Sequence, residues 1–291
     1  MIRNFEYFAP KTLQEALTFL DKFGDKCKVI AGGQSLLILM RQGLVAPEYL
    51  IGIKGISSLN YIKSDPEEGL RIGALTPHRV VEKSPVILSQ FTILAEMENK
   101  LASIQTRNWG TLGGNLCHAD PAGDPAPVLI ALGAYVKVAS LKGERSIALE
   151  DFSLDYFETA LQAGELLAEV LVPSMPARTG AAYTKFNVIE TDMATVGVAV
   201  SITMSPNRDI CESVRIGLGA SAPVPIRAKQ AENVLKGKKI TDDLLEEAGE
   251  IASSEAKPIS DIHASESYRR ELVKVLVKRV GKEALARAIK A

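Results

Sequence analysis

The chain has 291 residues, 46% of them hydrophobic and 24% charged, with a formal net charge of -1. This is roughly twice the ~150 residues of one average domain, so two domains, or one with an appendage, are expected. Near neutrality removes the electrostatic motive for a nucleic-acid or anionic-membrane partner, and no apolar run approaches the ~20 residues of a membrane span. The opening Met1-Ile2-Arg3-Asn4-Phe5-Glu6-Tyr7 lacks the basic-then-apolar order of a signal peptide, which makes the cytoplasm the expected compartment. Cys27, Cys117 and Cys211 are scattered and form no C-x-x-C pair, which argues against a disulfide framework or a self-contained zinc or iron–sulfur site.

In chain order, Thr12-x-x-Glu15 reads as a capping box, followed by an apolar face at Leu13, Ala16, Leu17 and Leu20 and a stop at Gly24. A strand over 27–30, a helix over 36–41 ending at Gly43 and a strand over 49–53 complete a small β-α-β unit. A second region starts near Asn60. A strand is expected at 70–72, a short helix after the Thr76-Pro77 cap, and a longer helix over 91–103. Residues 107–124, dense in Gly, Asn, Asp and Pro, read as a loop. Asp124-Pro125 opens a helix over 126–132, and strands follow at 135–139 and 166–172. Residues 173–180 form a plausible boundary. Beyond it, Val196, Val198, Val200 and Ile202 alternate as a half-buried strand. A turn at 205–209 returns the chain along 210–218, which predicts an antiparallel meander. Helices near 227–235, 242–254 and 266–280 end the chain.

Two glycine-rich stretches stand out, Ala31-Gly32-Gly33-Gln34-Ser35 and Thr111-Leu112-Gly113-Gly114-Asn115, about eighty residues apart. Glycine tolerates φ > 0 and lets a backbone approach a ligand closely. Successive N–H groups in such turns converge into a nest for phosphate oxygens, and Ser35, Thr111 and Asn115 add side-chain donors. Neither stretch is the G-x-G-x-x-G fingerprint or the G-x-x-x-x-G-K-[ST] phosphate loop. A single Gly-Gly pair is ordinarily a plain turn. A matched pair suits a ligand with two phosphates gripped from both sides, and spacing alone leaves both readings open.

Ala31-Gly32-Gly33-Gln34-Ser35-Leu36 and Thr111-Leu112-Gly113-Gly114-Asn115-Leu116 closely resemble the paired FAD-pyrophosphate loops of the molybdenum hydroxylase flavoproteins, above all the medium subunits of the carbon monoxide dehydrogenase type. The likeness runs in order through Phe5-Glu6-Tyr7, Ala119-Asp120-Pro121-Ala122-Gly123-Asp124, Tyr183-Thr184-Lys185, Asp192-Met193-Ala194 and Ala264-Ser265-Glu266-Ser267-Tyr268-Arg269-Arg270, so it spans nearly the whole chain. It implies an α+β fold with two domains. Residues 1–176 would form a two-part FAD-binding domain of the vanillyl-alcohol-oxidase type, with parts at about 1–58 and 59–176. Residues 177–291 would form an α+β domain with a three-stranded antiparallel sheet and helices.

The resemblance also implies roles for single residues. Ala31, Gly32, Gly33, Gln34 and Ser35, with Thr111, Leu112, Gly113, Gly114 and Asn115, would hold the pyrophosphate. Asp124 would meet the ribityl hydroxyls, or cap the helix at Pro125, or do both. Leu101 or Ala102 would pack on the adenine, with helix core as the alternative. Leu167 would lie against the isoalloxazine or serve as strand core. Lys185 would sit beside the flavin, although a lysine is ordinarily a solvated surface group. Met193 stands where similar proteins often carry an aromatic residue, and methionine can pack on a ring through its sulfur. His118 recurs in similar proteins and is read as structural.

The implied function is an electron relay: non-covalent FAD would receive electrons from iron–sulfur clusters of a partner and pass them to an external acceptor. The implied partners are a large molybdopterin subunit and a small subunit with two [2Fe–2S] clusters, in a dimer of heterotrimers. Substrate oxidation would then fall on the partner, with no metal ligand or catalytic acid–base pair in this chain. Two rivals stay open. One is a self-contained flavin oxidoreductase resembling the enolpyruvyl-glucosamine reductases, and the other is a non-redox nucleotide-binding protein. Yellow colour on purification removes the second, and co-purification with molybdenum and iron separates the first.

Overall fold

The computed structural model describes residues 2–189 and 191–291 and shows a mixed α/β protein built on three principal sheets. The first unit comprises β1 (Glu6–Phe8), α1 (Leu13–Phe23), β2 (Cys27–Ile30), α2 (Leu36–Arg41) and β3 (Tyr49–Gly52). Thr12 caps α1 by accepting from the Glu15 amide at 3.1 Å, while the Glu15 carboxylate reaches back to the Lys11 amide at 2.7 Å. Gly24 ends the helix at φ 52°, a left-handed conformation that favours glycine. β3 lies between β1 and β2 and runs parallel to both, so the expected β-α-β unit forms, with one extra edge strand.

The second unit holds β4 (Ile62–Asp65), β5 (Gly69–Gly73), six helices, and five further strands. The helices are α3 (His78–Lys83), α4 (Pro85–Gln90), α5 (Thr92–Lys100), α6 (Ile104–Trp109), α7 (Leu112–His118) and α8 (Pro125–Ala131). The strands are β6 (Tyr135–Ser140), β7 (Gly143–Ala148), a small hairpin of β8 (Ser153–Asp155) and β9 (Glu158–Thr159), and β10 (Leu166–Val172). The main sheet has the order β4-β5-β10-β6-β7 and is antiparallel throughout. The late strand β10 therefore enters the middle of the sheet, and its Val170 and Val172 are fully buried. Leu94, Met97, Val128 and Leu129 from the helices complete this core.

The third unit is a β-meander covered by helices: β11 (Thr179–Phe186), β12 (Val196–Met204), β13 (Cys211–Gly219), a two-residue β14 (Ile226–Arg227), then α9 (Lys229–Leu235), α10 (Asp242–Glu255) and α11 (Glu266–Lys290). The alternating valines of β12 are buried, as their period requires. The expected sheet of three strands thus gains a short fourth at its edge, and the last helix runs ten residues past its expected end at Val280.

Other local expectations need correction. The stretch read as a loop over 107–124 contains the end of α6 and all of α7. Glycine density suggested irregular backbone, but Ser103 and Thr111 each cap a helix by accepting an amide three residues on, from Thr106 at 3.2 Å and from Gly114 at 3.1 Å. The helix expected over 91–103 stops at Lys100, because Leu101 is extended and Ala102 takes φ 41°. Thr76 caps nothing. Its buried hydroxyl instead joins Tyr61, donating to the carbonyl at 3.0 Å and accepting from the amide at 3.2 Å.

The second and third units meet at α8 and β13. A Cβ on Gly217 would lie 2.1 Å from the Pro127 carbonyl oxygen, so strand and helix backbones touch directly. Gly217→Ala is expected to destabilise the protein by about 1–3 kcal/mol through overpacking that only backbone movement relieves. A thermal or denaturant midpoint unchanged from wild type would contradict this backbone contact.

Candidate functional site

The two glycine stretches, from different sheets, face each other across a cleft of about 650 Å³. Their juxtaposition is enforced by backbone contact. A Cβ on Gly32 would lie 2.1 Å from the Trp109 carbonyl oxygen, and one on Gly113 would lie 2.6 Å from the Ala74 Cβ. These two glycines are required for packing. Gly33 and Gly114 differ from them. Gly33 has φ 73° and its three nearest neighbours are side-chain atoms of Leu37 and Ile30, while Gly114 is exposed and its Cβ would meet Thr111 Oγ1 at 2.7 Å, with the Ala31 Cβ next at 3.8 Å.

The two stretches offer different donors. The amides of Gly33, Gln34, Ser35 and Leu36 donate to no acceptor among the described residues, and the Ser35 hydroxyl makes no capping bond. With the left-handed Gly33 among them, they form the kind of turn that receives an anion. The second stretch departs from the nest expected there. Four of its five amides are already used: Leu112 on Thr76 O (3.1 Å), Gly113 on Ala74 O (3.0 Å), Gly114 on Thr111 Oγ1 (3.1 Å) and Asn115 on Thr111 O (3.0 Å), which leaves the Thr111 amide without an acceptor among the described residues. What it presents to the cleft is side chains. Thr111 accepts from Gly114 and keeps its hydroxyl proton to donate. Asn115 has its Oδ1 3.2 Å from where a Cβ on Gly123 would be, so Gly123 leaves it room.

Ala31, Gly32, Gly33, Gln34, Ser35, Leu101, Ala102, Thr111, Gly113, Gly114, Asn115, Asp124 and Leu167 all line the cleft, and Met193 and His118 join them. Leu112 and Lys185 do not. The Leu112 side chain is core, 1% exposed. Lys185 is neither a cleft-lining cation nor a solvated one. Its side chain is 3% exposed, with Nζ 2.9 Å from Asp124 Oδ2 and donating to the Asp192 carbonyl at 2.9 Å. Leu101 and Leu167 belong to the main core as well as to the cleft wall, Leu101 from just beyond the end of α5.

Asp124 makes no helix-capping bond. Its carboxylate instead accepts from Tyr183 Oη at 2.6 Å and from Lys185. Burial pushes its carboxyl above the ordinary range, opposed by Lys185 and Tyr183, and burial together with Asp124 pushes the Tyr183 phenol well up. Strand β11 thus reaches into the wall of a cleft built by the preceding units.

Four ionisable residues of the site carry no sequence motif. Arg107 donates through Nη1 to the carbonyls of Leu101 (2.7 Å) and Ala102 (2.9 Å), and through Nε to buried Glu82 at 3.0 Å. This clamp holds Ala102 in its left-handed conformation, which costs a non-glycine residue about 1–2 kcal/mol. His78, in the first turn of α3, lines the cleft, and its Nδ1 lies 3.0 and 2.9 Å from the two carboxylate oxygens of fully buried Glu98. The sequence signal was weak. Glu82 and Glu98 fall in expected helices without a motif, Arg107 opens the stretch read as a loop, and His78 follows the Thr76-Pro77 pair without a motif.

Comparison with known proteins fits this architecture. A family model described as the FAD binding domain in molybdopterin dehydrogenase matches residues 3–175, and a second, the CO dehydrogenase flavoprotein C-terminal domain, matches residues 181–284. The chain therefore belongs to the flavoprotein family of the molybdopterin dehydrogenases. It is 36% identical over 286 residues to the 6-hydroxypseudooxynicotine dehydrogenase complex subunit alpha of Paenarthrobacter nicotinovorans, covering 98% of this chain and 96% of that one. Carbon monoxide dehydrogenase from Hydrogenophaga pseudoflava, in a form lacking the Mo-pyranopterin moiety, superposes with a TM-score of 0.95 at 34% identity, covering 99% of each chain. Quinoline 2-oxidoreductase from Pseudomonas putida 86 does so with a TM-score of 0.90 at 34% identity, again over 99% of both chains.

The glycines separate into two experimental classes. Gly33→Val and Gly114→Val should empty the cleft of its ligand while preserving the far-ultraviolet circular dichroism. Gly33→Val also carries about 1–2 kcal/mol of left-handed strain. Gly32→Ala should instead lower the melting temperature, because it parts the two loops. Full ligand affinity in both valine variants would refute the assignment of Gly33 and Gly114 to the ligand face. Lys185→Met leaves the Asp124 charge buried without its cation and should cost about 3–5 kcal/mol, read from denaturant midpoints. A loss below ~1 kcal/mol would show that Lys185 does not neutralise Asp124.

Proposed function

We propose that this chain is the FAD-carrying relay subunit of a molybdenum hydroxylase complex, with residues 1–176 as a two-part FAD domain of the vanillyl-alcohol-oxidase type and residues 177–291 as its C-terminal domain. The observation that carries the reading is the cleft with four unspent amides on one wall and Thr111 and Asn115 on the other. A diphosphate bridging them would be gripped by main chain from one loop and by side chains from the other. Leu101 and Ala102, held by Arg107, would bound the adenine. Asp124 would face the ribityl hydroxyls with a lone pair left over from Tyr183 and Lys185. Leu167 and Met193 would border the isoalloxazine. Lys185 would act through Asp124, holding its charge in place within a buried site.

FAD, when bound, supplies the exchange between paired and single electrons that a relay needs. The chain's part is to bind it, exclude water and orient it. The partners are a large molybdopterin subunit and a small iron–sulfur subunit. The relatives matched almost end to end carry names such as dehydrogenase complex subunit alpha and medium chain, which supports a subunit over a self-contained reductase. No helix among the described residues is long and apolar enough to cross a membrane, and we place the complex in the cytoplasm.

The purified chain should carry about one FAD, released entirely into the supernatant by acid or heat. Colour retained by the precipitate would contradict non-covalent binding, and absence of any flavin affinity would defeat the reading. In the assembled complex, removal of FAD should leave substrate able to bleach the partner's iron–sulfur absorbance once. Turnover with an external acceptor should stop, and added FAD should restore it. Persistent turnover without FAD would rule out the relay role.

A further inference from the structure

The His78–Glu98 pair lies in the cleft wall and none of the roles above uses it. Glu98 is fully buried and holds Nδ1 of His78 with both carboxylate oxygens. The other edge of the ring faces the junction of the two glycine loops. Its Cδ2 lies 3.1 Å from where a Cβ on Gly110 would stand, and Gln34 Cγ lies 3.5 Å from the same point. Nε2 is adjacent to Cδ2. It has no partner among the described residues, yet it is not among their closed-in, unpartnered polar atoms, which are Glu169 Oε1 and Arg269 Nε. Nε2 therefore opens on the cleft that His78 lines.

We propose that His78, oriented by Glu98, donates a hydrogen bond from Nε2 to the diphosphate of the bound dinucleotide where the two glycine loops meet. This rests on the reading of the cleft as an FAD site and adds to it a donor on the side where the amides of residues 112–115 are spent.

Proton counting supports the donor role. Two protons shared by the pair give either an imidazolium facing a carboxylate or a neutral ring facing a carboxylic acid. Nε2 carries a proton in both. With one proton, Nδ1 keeps it for the carboxylate and Nε2 becomes an acceptor. Burial pushes the Glu98 carboxyl up, opposed by His78. Of the other charges facing the pair, Asp124 is held by Lys185, and Arg107 by Glu82 and two carbonyls. Neither is free to take over the role. Lys28 is the single lysine or arginine among the cleft-lining residues described, so a diphosphate has little other cationic help.

The test uses the full chain stripped of flavin, with FAD and ADP as probes, since ADP carries the diphosphate without the flavin. His78→Phe should weaken both by the same factor, about 10- to 100-fold, the loss expected for a hydrogen bond to a charged acceptor. His78→Gln, which restores an N–H donor, should recover part of it. Affinities within about twofold of wild type for His78→Phe, or a loss for FAD alone, overturn the proposal. Should His78→Phe fail to fold by circular dichroism, the unaltered protein decides. With only three histidines in the chain, ¹⁵N-histidine labelling should show a protonated Nε2 on His78 at neutral pH that shifts on adding ADP. An unprotonated Nε2, or one that ADP leaves unmoved, overturns it. Glu98→Ala frees the ring to turn and should weaken FAD and ADP by a common factor, and affinities within about twofold of wild type overturn the orienting role of Glu98. If wild-type protein binds neither FAD nor ADP, the flavin-site reading falls first and this inference with it.

Discussion

Everything at the cleft depends on one close approach, the main chain at Gly32 lying directly against the Trp109 carbonyl. Any side chain there would sit 2.1 Å from that oxygen. The contact joins a parallel sheet at the start of the chain to a helical segment belonging to a different, antiparallel sheet. The second loop is in turn sewn to the segment before α3, through Leu112 and His78 amides on the Thr76 and Gly110 carbonyls (3.1 and 3.0 Å) and a bridge between Pro77 and Thr111. Fixing the second loop uses up the amides of residues 112–115. The first loop is held from outside by the Gly32 contact, and the amides of residues 33–36 stay free. On the proposed reading a division of labour follows. One wall would bind through backbone, insensitive to side-chain identity at exposed Gln34, and the other would read its ligand through Thr111 and Asn115.

The buried ionic groups follow the same logic of neighbours supplied from elsewhere. An isolated carboxylate in an apolar wall would be expelled or protonated. Asp124, Glu98 and Glu82 persist because Lys185, His78 and Arg107 reach them from β11, α3 and α6. Two of the pairs also fix backbone at the cleft, where Arg107 holds Leu101 and Ala102 and Lys185 holds the Asp192 carbonyl. The charges serve geometry first, and their desolvation is offset by hydrogen bonds that leave few open ends.

The elements legible in the sequence were those with a strong local signal. The capping box at Thr12 and the alternating valines of β12 each specify their conformation within a few residues. The antiparallel meander in the last third of the chain was legible for the same reason. What escaped depends on distant partners. Nothing local distinguishes Gly32, fixed by Trp109, from Gly33, whose three nearest neighbours are side-chain atoms. Arg107 and Glu98 have the polarity of surface positions, and only the packing of α3, α5 and α6 puts them inside. The loop assigned to 107–124 failed differently. Glycine's low helix propensity is weak beside a threonine cap and the anchoring of residues 112 and 113 to the 74–76 backbone.

These constraints also bear on how rigid the site is. Asp124 opens α8, α8 rests on β13 through Gly217, and β13 is joined through β12 to β11, which returns Tyr183 and Lys185 to Asp124. The path closes on itself. Sliding the C-terminal sheet away from the cleft would separate a buried carboxylate from its cation, at about 3–5 kcal/mol, while breaking a backbone-to-backbone contact. Thermal motion at ~0.6 kcal/mol does not populate such a state appreciably. The cleft wall and the C-terminal sheet therefore move as one body around the ligand.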